Sequence, residues 1–330
     1  MSYTKTAHLP VTPDEAFALV TEPERLRRWK TVSAVVDLRA GGAYRFTVIP
    51  GHVAAGHFRV VEPGRRVVFG WGWEGNEELP PDASTVTVTI EPADGGSLVT
   101  LVHEGLSDAQ AAMHAEGWTH FFDRLERLAT TGDAGLDEWA ATPQELTPVT
   151  ASESVLAALQ PVLRALTTED RTKQTPCADF TCHELVEHLF DSLVQLGAMA
   201  GATVANPEQG SLENRVSVMA AQAIDGWRDV DLGGSVPGDG GRDLPATSAA
   251  GILPVELALH GWDIAQASGQ HLRLSDEVVA YLRTLAEGFV PAGRGNGSFG
   301  PEVEPGANAG ALDRLAAFSG RTAMLAPTPL

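Results

Sequence analysis

The chain has 330 residues, 43% of them hydrophobic and 20% charged, with a formal net charge of −20. At roughly 150 residues per domain this length points to two globular domains. The excess of acid argues against nucleic acid and anionic membrane surfaces as partners, because phosphate groups need a basic patch. The acid is unevenly spread: residues 1–135 hold 12 Lys/Arg against 18 Asp/Glu, and residues 136–330 hold 11 against 25. A mid-chain shift of this kind supports a domain boundary.

In chain order, residues 3–9 read as a strand. Pro13 opens a short helix behind Thr12, a suitable N-cap, and residues 23–29 suggest a second. The pattern then changes to period two over residues 43–48, 56–61, 66–73, 84–92 and 97–105. Gly and Pro at Gly41-Gly42, Pro50-Gly51, Pro63-Gly64, Pro80-Pro81 and Gly95-Gly96 punctuate these runs, which makes an antiparallel meander. Ser107 caps a helix of about 20 residues whose apolar positions include Trp118, Phe121, Phe122, Leu125 and Leu128. The expected fold is α+β, a curved sheet wrapped on a long C-terminal helix and enclosing a space. The domain boundaries read as 1–131 for this fold, 132–150 for a polar linker, and 151–330 for a second, helical domain.

From Ala151 onward the periodicity is helical. The expected helices are 152–167, 180–200, 211–228, 252–268 and 275–289, with Ser152 and Asp179 as N-caps and a short helix near 310–318. A long Gly/Pro-rich connection occupies 231–248. Several helices with one long crossover suit an all-α four-helix bundle. Two cysteines, Cys177 and Cys182, are too few for a disulfide framework and fit a reducing cytoplasm. Neither a signal peptide nor a run approaching the ~18 apolar residues of a membrane span is legible, so a cytoplasmic location is expected.

The chemistry concentrates on ILPVELALHGWDIAQAS, residues 252–268. At about 100° per residue, Glu256, His260 and Asp263 fall within roughly 60° of one another beside Leu253, Leu257 and Ile264. A carboxylate and an imidazole at i, i+4 are able to share one metal ion in a bundle interior; they also make a simple Glu–His hydrogen bond. A third ligand has to come from TCHELVEHLFDSL, where periodicity does not separate His183 from His188 and Glu184 is a rival.

DFTCHELVEHLF, LPVELALHGWDIAQASGQ, FGPEVEP and DRLAAFSGR, taken together over about 150–328, resemble the metal-binding DinB-like bundles that include mycothiol-dependent maleylpyruvate isomerases. The resemblance implies a divalent metal, zinc or else nickel, on His188, Glu256 and His260. It makes Asp263 the polar catalytic-site residue beside them, and a low-molecular-weight thiol such as mycothiol the co-substrate. Three protein ligands leave open positions, as catalytic sites do. Cys177 and Cys182 read as packing residues.

In the first half, TPDEAFALVTEPERLRRWK, RAGGAYRF, GHFRVVEPGRRVVFGWGW, STVTVTIEPADGGSLVTLVHEGL and EGWTHFFDRLERL resemble the START-like superfamily. The branch is the one named after activators of the heat-shock chaperone ATPase. The resemblance implies binding of an apolar molecule, for which Trp29, Phe46, Trp71, Trp73, Trp118 and Phe122 are the candidate lining; the same aromatic residues are also what a plain core would hold. His103, Glu104, His114 and His120 read as solvent-facing. The leading function is a metal-dependent thiol transferase or isomerase acting on a small electrophilic or apolar molecule. The alternatives are a binding or sensor protein with a structural metal, and an interaction module.

Overall fold

A computed structural model describes residues 2–238 and 243–325. The chain forms two compact units, Met1–Asp137 and Glu138–Leu330.

The first unit is built on a seven-stranded sheet. Its strands are β1 (Ser2–Leu9), β2 (Ser33–Val36), β3 (Ala43–Ile49), β4 (His52–Glu62), β5 (Arg66–Trp71), β6 (Ser84–Ala93) and β7 (Gly96–Glu104). The order across the sheet is β1-β7-β6-β5-β4-β3-β2, and every neighbouring pair is antiparallel. From β2 to β7 consecutive strands therefore pair with one another, through tight turns at β3–β4, β4–β5 and β6–β7 and longer loops at β2–β3 and β5–β6, and only β1 lies at the far edge beside β7. Between β1 and β2 lie helices α1 (Pro13–Thr21) and α2 (Pro23–Leu26). Thr12 caps α1 through Glu15, with proline at the first position. Alternation fixes which face is buried: in β6, Ser84, Val86, Val88 and Ile90 point inward and the residues between them are part-exposed.

Helix α3 (Asp108–Thr131) covers the inner face. A capping box joins Ser107 and Gln110 at its start, and Gly132 ends it in the left-handed region at φ 83°. Its buried face carries His114, Trp118, Phe121, Phe122, Leu125 and Leu128. Aromatic rings meet between sheet and helix: Trp71 and Trp118 lie 5.2 Å apart, Trp29 and Phe122 6.4 Å. Trp29 is a core residue, donating from Nε1 to the Leu19 carbonyl at 2.9 Å.

The second unit begins with α4 (Glu138–Ala141), which packs on α5 (Pro148–Arg164). The stretch read from sequence as one linker is thus divided, because Asp137 is bound back to His120 and Arg124 of α3. Helices α5, α6 (Cys182–Met199), α7 (Leu212–Arg228) and α8 (Ala246–Ser268) form a four-helix group, with α5 and α6 each packed against both α7 and α8. The helices α9 (Asp276–Glu287), α10 (Val290–Asn296) and α11 (Ala311–Phe318) follow. The region is not purely helical. Ser235–Pro237 (β8) and Asp243–Pro245 (β9) pair as a small antiparallel ribbon. The remainder of the Gly-rich connection, 239–242, and the last residues of the loop-rich tail, 326–330, lie outside the described residues.

Two caps differ from the sequence reading. The N-cap of α5 is Thr147, with Pro148 at the first helical position, while Ser152 sits inside the helix and donates to the Pro148 carbonyl. The N-cap of α6 is Thr181, not Asp179, in a capping box with Glu184. Thr181→Ala is expected to destabilise the second unit by about 1 kcal/mol, read from urea unfolding.

Helix α8 is the centre of the second unit. Between Ala246 and Ala267 all but a few residues are buried, on every side of the helix. Gly261 packs closely against α5 and the segment after α8: a Cβ there would lie 3.0 Å from Leu159 Cδ1 and 3.2 Å from Leu272 Cδ2.

Candidate functional site

Two sites emerge, one in each unit. In the second unit, α6 and α8 bring His188, Glu256 and His260 together, with one ligand atom from each lying within 4.8 Å of the others. The carboxylate of Glu256 meets His260 Nε2 at 2.8 Å. The ring of His188 stands edge-on to that of His260, 5.2 Å between centroids, and stacks on Phe180 at 4.9 Å. His183, the other histidine of α6, is exposed. Glu184 is used by the capping box, its Oε2 accepting from the Thr181 backbone at 2.9 Å and hydroxyl at 2.7 Å.

Asp263 is fully buried and takes two contacts from Arg321 Nε, at 2.8 and 3.1 Å. Its Oδ2 lies 3.6 Å from His260 Nδ1, which has no hydrogen-bond partner among the described residues. Arg321 also donates to Ser319 Oγ at 3.0 Å. Burial opposes charge on His260, but the Glu256 carboxylate and the neighbouring Asp263 outweigh it and raise its pKa to about 9. Burial would raise the Glu256 pKa; His260, Arg321 and His188 reverse this and lower it. His188 is pushed down by burial and by the charge of His260. Burial raises both thiols, Cys182 to about 11 and Cys177 against the opposing pull of Arg321, so both stay protonated at neutral pH.

The donor set suits a divalent metal. Two metal–ligand bonds of about 2.1 Å at a tetrahedral angle place donor atoms about 3.4 Å apart, and the three donor atoms here all lie within 4.8 Å of one another. The unpartnered Nδ1 of His260, close to Asp263, matches the usual support of a ligating imidazole by a carboxylate.

Arg321 was not legible as a partner of the site, since 58 residues separate it from Asp263. The motif on α8 and the C-terminal motif in fact bind each other. Trp262 Nε1 donates to Asp313 at 2.9 Å, Arg321 to Asp263, and the backbone N–H groups of Met324 and Leu325 to Gln266 at 2.7 and 2.8 Å. The segment after α11 is strapped along α8 by these contacts.

In the first unit the candidate aromatic residues do converge. Phe46, Trp71, Trp118 and Phe122 are buried, and Trp73 is half-buried. His103 and His114 are buried too, contrary to the solvent-facing reading. The parity of β7 carried the signal: Ser97, Val99, Leu101 and His103 share one buried face. His114 stands four residues before Trp118 on the buried face of α3. Glu104 is exposed, and half-buried His120 meets Asp137 at 3.0 Å.

The histidines hold the indoles in place. His114 Nδ1 donates to the Gln110 carbonyl at 2.8 Å, so its Nε2 accepts from Trp71 Nε1 at 3.2 Å and Trp73 Nε1 at 3.3 Å. His103 Nδ1 accepts from Trp118 Nε1 at 3.1 Å, and its Nε2–H donates to Ser84 Oγ at 2.9 Å, which in turn donates to the Trp71 carbonyl. Both tautomers follow from this network. Burial, then the nearness of His114 and Lys30, lowers the His103 pKa to about 3; burial also lowers His114. Lys30 enters the same layer, its Nζ lying 4.8, 5.0 and 4.9 Å from the ring centroids of Phe46, Trp71 and Trp118.

The meander, the long covering helix and the aromatic layer define the class of the first unit, an AHSA1-like domain of START type. Residues 10–130 match the family described as Activator of Hsp90 ATPase homolog 1-like protein. An AHSA1-like protein of Rhizobium etli is 36% identical, with a TM-score of 0.37 over 44% of this chain and 92% of that one. The first unit is thus AHSA1-like over residues 10–130. CalU16 of Micromonospora echinospora is 26% identical, with a TM-score of 0.34 over 40% of this chain and 77% of that one. Rv0738, an uncharacterized protein of Mycobacterium tuberculosis, is 28% identical over 153 residues, 45% of this chain and 83% of that one. Among the described residues no helix is long and apolar enough to cross a membrane.

Proposed function

We propose that the second unit is a DinB-like bundle holding one divalent metal, zinc or nickel, on His188, Glu256 and His260. The protein is then a metal-dependent enzyme acting on a small electrophilic or apolar molecule with a thiol such as mycothiol. The observation that carries this reading is the convergence of three donor atoms within 4.8 Å on two helices of the bundle. A metal bound there supplies a Lewis acid with open positions for a thiol or water. Asp263 orients His260 from the far side of the ring, Arg321 holds the Asp263 carboxylate in place through Nε, and the buried helix α8 limits water. Neither Cys177 nor Cys182 serves as the thiol, since both are held protonated. The AHSA1-like unit binds the small apolar molecule on its aromatic layer.

A second reading has its own support. Glu256 and His260 satisfy each other directly at 2.8 Å, so the protein is also describable as a small-molecule binder whose bundle needs no metal or holds a structural one.

Protein purified without a histidine tag, reconstituted with zinc and dialysed, is expected to retain about one metal per chain. His188→Ala and Glu256→Gln are each expected to weaken binding by more than the ~10–100-fold that loss of an outer partner costs. A native chain that retains no metal removes the ligand set and the enzyme together. Turnover of mycothiol with chlorodinitrobenzene, lost in His260→Ala, supports catalysis; metal without turnover leaves the binding reading.

A further inference from the structure

Lys30 is an unusual group for the interior of a sheet–helix layer. It is 5% exposed. It follows α2, its backbone N–H donating to the Leu26 carbonyl at 2.9 Å, and this turn directs its side chain among Phe46 of β3, Trp71 of β5 and Trp118 of α3. Among the described residues the ammonium has no hydrogen bond and no ion pair.

The two neighbouring histidines have no acceptor left to offer it. Both nitrogens of His103 are engaged, by Trp118 and Ser84, and both of His114, by Gln110 and the two indoles Trp71 and Trp73. Ser84 has given its proton to the Trp71 carbonyl. A buried ammonium keeps three N–H donors that the rings satisfy only through their π-faces. Burying such a group without an acceptor is costly, and the fold carries that cost.

We infer that Lys30 is the anchor for the acid group of a small aromatic carboxylate, whose ring system lies against the layer of Phe46, Trp71 and Trp118. The inference rests on the reading of the AHSA1-like unit as a binder of small apolar molecules and adds the charge of the ligand. A monoanion is indicated by the count of cations: one ammonium, with His103 and His114 locked as neutral donors and acceptors. A phosphate dianion would need further donors that this layer lacks. The depressed basicity of Lys30, about 7 through burial alone, agrees with an amine that gains its counter-charge only when an acid arrives.

The test uses the full chain and two probes that differ only in charge, 1-naphthoate and 1-naphthamide. Calorimetry gives the affinities, and the indole N–H signals of Trp71 and Trp118 in a 15N spectrum locate the site. The expected result is that naphthoate binds at least tenfold tighter than naphthamide and moves both indole signals. In Lys30→Met the preference is expected to vanish while naphthamide still binds, which also shows that the variant is folded. Lys30→Arg is expected to keep a preference for the acid. Equal affinities in the native chain, or a tenfold preference surviving in Lys30→Met, overturn the anchor and leave the ligand-binding reading standing. If neither probe moves the two indole signals, the ligand-binding reading falls and the anchor with it.

Discussion

Asp263→Ala is expected to destabilise the second unit by about 3–5 kcal/mol, the range found when one partner of a buried ion pair is removed. The carboxylate is fully buried and Arg321 is 8% exposed, so water compensates little of the charge on the guanidinium left behind. Arg321→Met should cost a similar amount, because it strands the carboxylate beside Glu256 and His260. The double variant Asp263→Leu/Arg321→Met is expected to recover most of the loss, since well-packed apolar pairs replace buried ion pairs at little cost. Urea unfolding of the four proteins gives the coupling energy directly. Additive single effects would mean that the two groups do not act as a pair. A second readout separates stability from site support: hydrogen exchange over 311–325 should accelerate in either single variant, as the strap formed with Trp262, Asp263 and Gln266 loosens. Metal affinity in Asp263→Asn, which keeps the volume, should fall by about 10–100-fold, as for other carboxylates that support a ligating histidine.

The sequence was most legible where one periodicity ran long enough to be read. The segments STVTVTIEPA and GSLVTLVHE alternate for nine or ten residues, and each forms a strand with alternating burial. The edge strand Ser33–Val36 has four residues, one of them Val35 at 64% exposure, so no alternation announces it. Helix α8 defeats periodicity from the opposite side: buried all round, it has no polar face against which to place Glu256, His260 and Asp263. Their i, i+4 and i, i+3 spacing was still enough to anticipate the Glu256–His260 contact. The choice of His188 over His183 came from resemblance to a known bundle, and burial separates the two. What no local pattern reveals is long-range pairing: Trp262 with Asp313, Asp263 with Arg321, and the indoles of β5 and α3 with the histidines of α3 and β7. Each joins elements through tertiary packing, and each places a polar group where the one-dimensional reading expects either solvent or apolar core. Lys30 belongs with them, a charged residue in a turn whose side chain the fold directs inward.

Lys30→Met is expected to stabilise the first unit at neutral pH by on the order of 3 kcal/mol. Burial lowers the pKa of the amine from 10.5 to about 7, and each pH unit of such a shift corresponds to about 1.4 kcal/mol. The cation–π contacts with three rings return part of that, about 0.5–2 kcal/mol in sum. Methionine fills the same space with a thioether that packs well against aromatic edges. The pH dependence identifies the cause. Between about pH 7 and pH 10.5 the unfolded chain holds a proton on Lys30 that the folded chain has released, so raising the pH stabilises the native protein across that window. Below pH 7 both states hold the proton and the cost is constant. The histidines facing the amine do not compete in that window: His103, lowered to about 3, stays neutral, and burial lowers His114 below its ordinary value. The advantage of Lys30→Met over the native chain should therefore be largest at pH 6–7 and shrink toward zero near pH 10. Hydrogen exchange of the β6 and β7 amides in the full chain, at pH 6, 8 and 10, reports the first unit alone. A difference that does not change with pH would mean that the variant acts through packing, with the ammonium already compensated. A loss of stability in Lys30→Met at pH 6 would mean that the aromatic layer holds the cation more tightly than burial penalises it. Stabilisation that comes with loss of the preference for naphthoate would instead mark Lys30 as a position where the fold gives up stability for the sake of a ligand.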